Sequence, residues 1–273
     1  MKKFEGILFC TDLDGTLYTD DRTVSAENLA AIEYFQAEGG LFTFITGRVP
    51  QTSGEICRRI KPNAPYGCIN GGGIYDPAEE KYLWRCFLPE EALELVREVD
   101  EKLPGMGIQL NTEKAVYFCK DSDSMVHFRA VTGLPEAFCP YEAVSEPVLK
   151  VVFADHDPEQ IAALMELLHR HPMAEKVDFI RSEKWLYEIL PKGVNKGTAL
   201  LRMADLLGIR PDRTIAVGDY NNDVSMLKTA GAGFAVANAV EEAKAAADYI
   251  TVSNNENAIA VIIDSLASGA LAV

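Results

Sequence analysis

The chain has 273 residues, of which 48% are hydrophobic, enough for one large domain or two ordinary ones with a substantial core and no extended disorder. A net charge of −15, with Lys and Arg dispersed, argues against nucleic acid as a partner, because neutralising phosphates takes grouped cations. No run approaches the ~18 apolar residues of a membrane-spanning helix.

The N-terminus, Met1-Lys2-Lys3-Phe4-Glu5, is basic, but the apolar run behind it is too short for a signal sequence and ends in Asp12, so a cytoplasmic protein is expected. Gly6 to Thr11 reads as a buried parallel strand. Ser25 caps a helix to about Glu38, with Leu29, Ile32 and Phe35 on one side and Gly39-Gly40 ending it. Leu41–Ile45 is the next strand, stopping at Thr46-Gly47-Arg48, and a helix follows from Pro50. Tyr66–Ile69 is a third strand, closed by Asn70-Gly71-Gly72-Gly73, and Tyr75 to Tyr82 reads as a hairpin.

The middle of the chain has a different texture. A helix over Glu90–Leu103 precedes short strands near Gly107–Leu110 and Ala115–Cys119, a helix over Asp121–Val131, and a strand at Val148–Ala154. Then come a helix over Pro158–His169 and strands near Val177–Ile180 and Trp185–Leu190. From Gly193 strand and helix alternate again. Asn195 caps a helix with Leu200, Met203, Leu206 and Leu207 on one stripe, ended by Gly208 and Pro211. Thr214–Val217 is a strand ending in Gly218-Asp219, a helix starts near Asn222, and Gly233–Val236, an Ala-rich helix, Tyr249–Thr251 and a helix to about Leu266 complete the chain. The expected fold is α/β: a doubly wound parallel, Rossmann-like core over 1–82 and 186–273, with an α+β domain inserted over 83–185.

Ligands of open α/β sheets sit beyond the carboxyl ends of the strands, and here those ends are polar: Asp12 and Asp14; Thr46, Gly47 and Arg48; Asp219, with Asn222 and Asp223 beyond. Lys196 opens a helix between them. In Asp12-Leu13-Asp14 extended backbone turns both carboxylates one way and Leu13 the other, although a solvated turn reads equally well from this tripeptide alone. Carboxylates gathered from separate strand ends repel unless a cation intervenes, and all-oxygen donors favour a hard one such as Mg2+. A charge at a helix start accounts for Asp223 by itself, but not for Asp219 and Asp12 together. Thr46 and Gly47 are candidate phosphate donors and Lys196 a compact cation; taken singly, Lys196 and Arg48 also read as surface charges.

Other features carry less. Gly71-Gly72-Gly73 lacks the Lys-Ser/Thr of a phosphate loop and reads as a tight turn. His169-Arg170-His171 reads as a basic helix end. The six cysteines, Cys10, Cys57, Cys68, Cys86, Cys119 and Cys139, contain no Cys-x-x-Cys pair and read as small hydrophobes rather than a disulfide or zinc framework. Asp20 and Asp21 read as solvated charges.

Asp12-Leu13-Asp14-Gly15-Thr16-Leu17, Ile45-Thr46-Gly47-Arg48, Lys196 in Gly193-Val194-Asn195-Lys196-Gly197, and Gly218-Asp219-Tyr220-Asn221-Asn222-Asp223 together resemble the four motifs of the haloacid dehalogenase superfamily of phosphohydrolases. Their order, the insertion between the second and third, Asn70-Gly71 and Ala235-Val236-Ala237-Asn238-Ala239 resemble its Cof-type branch. The resemblance implies a phosphatase acting on small phosphorylated metabolites such as sugar phosphates. Asp12 is then the nucleophile that becomes an aspartyl phosphate, and Asp14 the acid and base. Mg2+ is held by the Asp12 carboxylate, the Asp14 backbone carbonyl and Asp219, with Asp223 ligating directly or through water, and Thr46, Gly47, Arg48, Lys196 and Asn222 serve phosphate or substrate binding. The inserted domain is then a cap that closes over the site, with Arg181, Ser182 and Trp185 near its return either facing the substrate or packing the hinge. Asn257-Ala258 departs from the Asp-Gly common in that branch. Two other outcomes keep the same nucleophile: a phosphomutase, which passes the phosphoryl group to a sugar hydroxyl, and a phospho-accepting signalling module.

Overall fold

The computed structural model describes residues 2–271 and 273. The first segment of the chain contributes β1 (Leu8–Thr11), α1 (Ala26–Ala37), β2 (Leu41–Phe44), α2 (Gly54–Ile60), β3 (Tyr66–Cys68), β4 (Gly73–Asp76) and β5 (Lys81–Arg85). The inserted segment contributes α3 (Leu93–Lys102), β6 (Gly107–Thr112), β7 (Val116–Lys120), α4 (Asp123–Thr132), β8 (Val148–Ala154), α5 (Pro158–Arg170), β9 (Val177–Glu183) and β10 (Leu186–Pro191). The returning segment adds α6 (Lys196–Leu206), β11 (Thr214–Gly218), α7 (Val224–Thr229), β12 (Ala232–Ala235), α8 (Glu241–Ala246), β13 (Tyr249–Ile250) and α9 (Ala258–Ser268).

The chain divides into two compact units: one runs to Trp84 and resumes at Asn195, the other is Arg85–Val194. In the first, a five-stranded sheet has the order β13-β12-β11-β1-β2, and each neighbouring pair is parallel. β1 lies inside the sheet, between β11 and β2, and Leu8, Phe9 and Cys10 are fully buried, as a strand covered on both faces requires. Phe9 packs on Phe35 of α1 and Phe42 of β2, with ring centroids 5.8 and 5.2 Å apart. Burying such a ring stabilises the fold by about 1.5–3 kcal/mol. Gly67 of β3 makes a parallel bridge to Ile45, which carries the layer one step beyond β2. The expected hairpin is β4–β5, and its turn is tied by Asp76 Oδ1, which accepts from the Ala78 N–H at 2.9 Å.

Two expectations change. The return to the first unit falls after Val194, not at 185, because β10 pairs antiparallel with both β8 and β9 and so belongs to the second unit's sheet. An apolar strand beside an alternating α/β segment carries no mark of which sheet it joins. Leu206, expected on the buried stripe of α6, is 51% exposed, while Leu200 and Met203 are buried. At ~100° per residue, Leu206 stands about 120° around the helix from Leu200.

The second unit is an antiparallel sheet of order β7-β6-β8-β10-β9. Leu95, Val96 and Val99 of α3 and Ile161, Leu164 and Leu168 of α5 form one core with Ile108, Leu110, Val151, Phe153, Tyr187 and Ile189 of the sheet. Lys150 and Glu188 form a buried ion pair at 3.0 Å, and Ser182 donates to Glu188 Oε1. Trp185 packs against the rings of His127, Phe128 and His156, and Arg181 Nη2 donates to the Lys184 carbonyl. All six cysteines are free thiols; Cys10 and Cys68 are fully buried and the rest partly so. Among the described residues, no helix is long and apolar enough to cross a membrane.

Candidate active site

β1 ends at Thr11, and the Asp12 N–H continues the ladder by donating to the Val217 carbonyl of β11 at 2.8 Å. Asp12 is extended; the backbone then winds through an irregular turn over Leu13–Leu17, with Leu13 fully buried and Gly15 at φ +80°. The turn brings Gly15 against Asp219: a Cβ there would stand 2.5 Å from Asp219 Oδ2, so the approach requires glycine. Thr16 Oγ1 donates to Asp219 Oδ1 at 2.7 Å, which fixes that carboxylate beside the β1 loop.

Lys196, the first residue of α6, is fully buried. The Asn195 capping box starts the helix there, with the Asn195 side chain accepting from the Thr198 N–H at 2.9 Å. Its Nζ donates to Asp12 Oδ1 at 2.6 Å and to Asp223 Oδ1 at 2.5 Å. The other oxygen of Asp223, Oδ2, accepts from the Asp219 and Tyr220 N–H groups, both at 2.9 Å. Asp223 thus ties the loop after β11 to Lys196, a more specific task than complementing the six-residue helix α7.

Carboxylate oxygens of Asp12, Asp219 and Asp223 lie within 4.8 Å of one another. Burial, then the neighbouring Asp223 carboxylate, pushes Asp12 up to about 7 although Lys196 pulls the other way. Burial, Asp223 and Asp12 push Asp219 up to about 8. Burial disfavours the charge on Lys196, but Asp12 and Asp223 outweigh it and raise its pKa. One ammonium among three crowded carboxylates leaves a site short of positive charge, and its donors are hard oxygens. That chemistry fits a hard divalent cation, which Asp12, Asp219 and Asp223 could hold.

Asp14 is turned elsewhere. Its side chain is 47% exposed and takes a two-pronged contact from Arg48, Nε to Oδ2 at 2.8 Å and Nη2 to Oδ1 at 2.5 Å. Arg48 also lies over the Tyr18 ring, 5.2 Å from its centroid. Thr46 is buried at the end of β2, where its Oγ1 accepts from the Arg48 N–H at 3.2 Å. Asn222 is buried and its Nδ2 donates to Asn70 Oδ1 at 3.0 Å.

Sequence reasoning missed several partners. Asp20, read as a solvated charge, accepts from Asn254 Nδ2 and Asn255 Nδ2, both at 3.0 Å, and these bonds lower its pKa. Asn254 Nδ2 also donates to the Tyr18 carbonyl, and Asn238 Nδ2 to that of Gly15 at 2.8 Å. Asparagines from the end of the chain therefore hold the loop that follows Asp12.

A model of the haloacid dehalogenase-like hydrolase family matches residues 9–263. A 5-amino-6-(5-phospho-D-ribitylamino)uracil phosphatase of Bacillus subtilis is 27% identical over 259 residues, covering 93% of this chain and 94% of its own. A second phosphatase of that name from the same organism is 29% identical, covering 94% and 97%. Among solved structures, a haloacid dehalogenase-like hydrolase from Bacteroides thetaiotaomicron superposes with a TM-score of 0.82 at 25% identity, over 95% of this chain and 99% of that one. The chain belongs to the haloacid dehalogenase-like hydrolase family and is a phosphatase of its Cof-type branch.

Proposed function

We propose that the protein is a Mg2+-dependent phosphomonoester hydrolase that acts on small phosphorylated metabolites, of the sugar phosphate or sugar-alcohol phosphate kind, through an aspartyl phosphate at Asp12. The observation that carries this reading is the Asp12 carboxylate itself: it follows directly on the buried strand β1, itself buried, with Lys196 Nζ 2.6 Å away and Asp219 and Asp223 beside it. The names of the two Bacillus subtilis relatives, each a phosphatase of a phosphoribityl compound, support the substrate class.

Asp12 attacks the phosphorus in line, and its Oδ becomes bonded to the phosphoryl group as the P–O bond to the alcohol breaks. Lys196, Thr46, Gly47 and Asn222 hold the phosphoryl oxygens by donated hydrogen bonds. Asp14 gives its proton to the departing alkoxide and in the second half takes one from the water that attacks the phosphorus of the phospho-aspartate, as the Asp12 Oδ–P bond breaks and inorganic phosphate leaves. Asp14 now sits in the grip of Arg48, so acting as an acid requires its carboxyl to turn from Arg48 toward the leaving oxygen. Asp12, Asp219 and Asp223, with the Asp14 backbone carbonyl, would hold Mg2+, whose positive charge would offset repulsion between the nucleophile and the phosphate dianion. Residues 85–194 would serve as the cap that selects the alcohol.

The test is phosphate release from a panel of sugar, sugar-alcohol and nucleoside phosphates, with Mg2+ and with a chelator. Metal-dependent release of inorganic phosphate is expected. An isomeric sugar phosphate instead of inorganic phosphate would make the protein a mutase, and equal release in the chelator would overturn the metal role.

A further inference from the structure

Ile69-Asn70-Gly71, between β3 and β4, contributes no group to the chemistry above, yet its backbone is unusual. The three residues have φ of +57°, +52° and +95°, and all are buried. Glycine enters this region freely and asparagine tolerates it, but β-branched isoleucine fits it poorly. Consecutive left-handed residues in a buried segment persist only where the surroundings over-determine them.

Those surroundings are the loops of the candidate site. The Ile69 N–H donates to the Arg48 carbonyl at 2.9 Å and the Asn70 N–H to the Thr46 carbonyl at 3.0 Å. The Asn70 amide lies against Gly47, where a Cβ would stand 3.0 Å from Asn70 Oδ1. That same oxygen accepts from Asn222 Nδ2 at 3.0 Å. A Cβ on Gly71 would stand 2.2 Å from the Asn195 carbonyl, directly before Lys196. One short segment therefore touches the loop after β2, the loop after β11 and the start of α6.

We propose that Asn70 is a positioning residue for phosphoryl binding, which sets the orientation of the Asn222 amide against the Gly47 backbone. An amide oxygen only accepts, so it draws the amino end of Asn222 toward itself and fixes which way that side chain faces. One N–H of Asn222 is committed to Asn70, which leaves the other to donate to a phosphoryl oxygen. The left-handed turn is the backbone's means of bringing the Asn70 carboxamide between the two loops. This rests on the phosphatase reading, in which Asn222 and Gly47 bind the transferring group.

The test is a double-mutant cycle with Asn70→Gly and Asn222→Ala, assayed with p-nitrophenyl phosphate and with orthovanadate as inhibitor. Glycine keeps the left-handed backbone accessible, and thermal melting checks that each variant is folded. Asn70→Gly is expected to lower kcat/KM and vanadate affinity together by about ten- to a hundredfold, the order of one hydrogen bond to a charged group. Because both residues act through one interaction, the double variant should be no worse than the poorer single variant within about twofold. Wild-type kinetics in Asn70→Gly, multiplying losses in the double variant, or an unimpaired Asn222→Ala would each overturn the proposal. Asp12→Asn run beside them separates the two failures: if it stays active, the phosphatase reading falls and this inference with it.

Discussion

Replacing Lys196 by methionine removes the ammonium that stands 2.6 Å from Asp12 and 2.5 Å from Asp223 while keeping most of the buried volume. At such separations each attraction is about 6 kcal/mol for an effective dielectric near 20, and the cost of stripping water from the ions cancels much of it. Measured losses on deleting one partner of a buried pair are about 3–5 kcal/mol. At roughly 2–4 °C per kcal/mol, the melting of the unit that contains Lys196 should fall by about 6–20 °C in metal-free buffer at pH 8. The variant leaves three carboxylates with no internal cation, so saturating Mg2+ should recover more stability in Lys196→Met than in the wild type. The assay is differential scanning calorimetry of both proteins with chelator and with Mg2+. A melting temperature within about 2 °C of the wild type, unmoved by Mg2+, would refute the claim that Lys196 balances the carboxylate cluster.

Two other outcomes follow from the same cluster. Asp12 at about 7 and Asp219 at about 8 both bind a proton more tightly folded than unfolded, so their contribution to stability is complete below the ordinary 3.8 and is lost as pH climbs through 7 and 8. Metal-free protein should therefore melt at lower temperature at pH 8.5 than at pH 6, and Mg2+ should raise the melting temperature more at the higher pH. A melting temperature that rises between those pH values would contradict the carboxylate assignment. Gly15→Ala adds a methyl group where φ is +80° and Asp219 Oδ2 lies 2.5 Å from the new atom. It should raise the Mg2+ concentration for half-maximal activity at least about tenfold, and an unchanged metal requirement would show that Asp219 does not hold the cation.

What could be read from the sequence, and what could not, follows from the range of the interactions involved. β1, β2 and β11 are short apolar runs ending in polar residues, so burial pattern alone marked them, and the rule for open α/β sheets brought Asp12, Lys196, Asp219 and Asp223 to one end. Their side chains do meet there. β10 was misassigned because partner choice between two sheets depends on pairing with β8 and β9, which hydrophobicity does not encode. Asp20 was read as idle because its partners, Asn254 and Asn255, lie more than two hundred residues on, and polar side chains carry no periodic signal. The left-handed Ile69 was likewise invisible, since nothing in an isoleucine announces positive φ; only the Asn70-Gly71 behind it is a turn signal. The pairing of Asp14 with Arg48, rather than with the cation cluster, required knowing that the turn after Asp12 redirects the chain at Gly15.

The central claim is that Asp12 makes the bond to phosphorus. Its most direct test is phosphate release by Asp12→Asn, with Mg2+ saturating and circular dichroism and melting verifying the fold. Asparagine keeps the shape and loses the nucleophilic carboxylate, so release should fall by at least about a thousandfold while the protein stays folded. Release within a few-fold of the wild type would mean that the phosphoryl group never passes through Asp12.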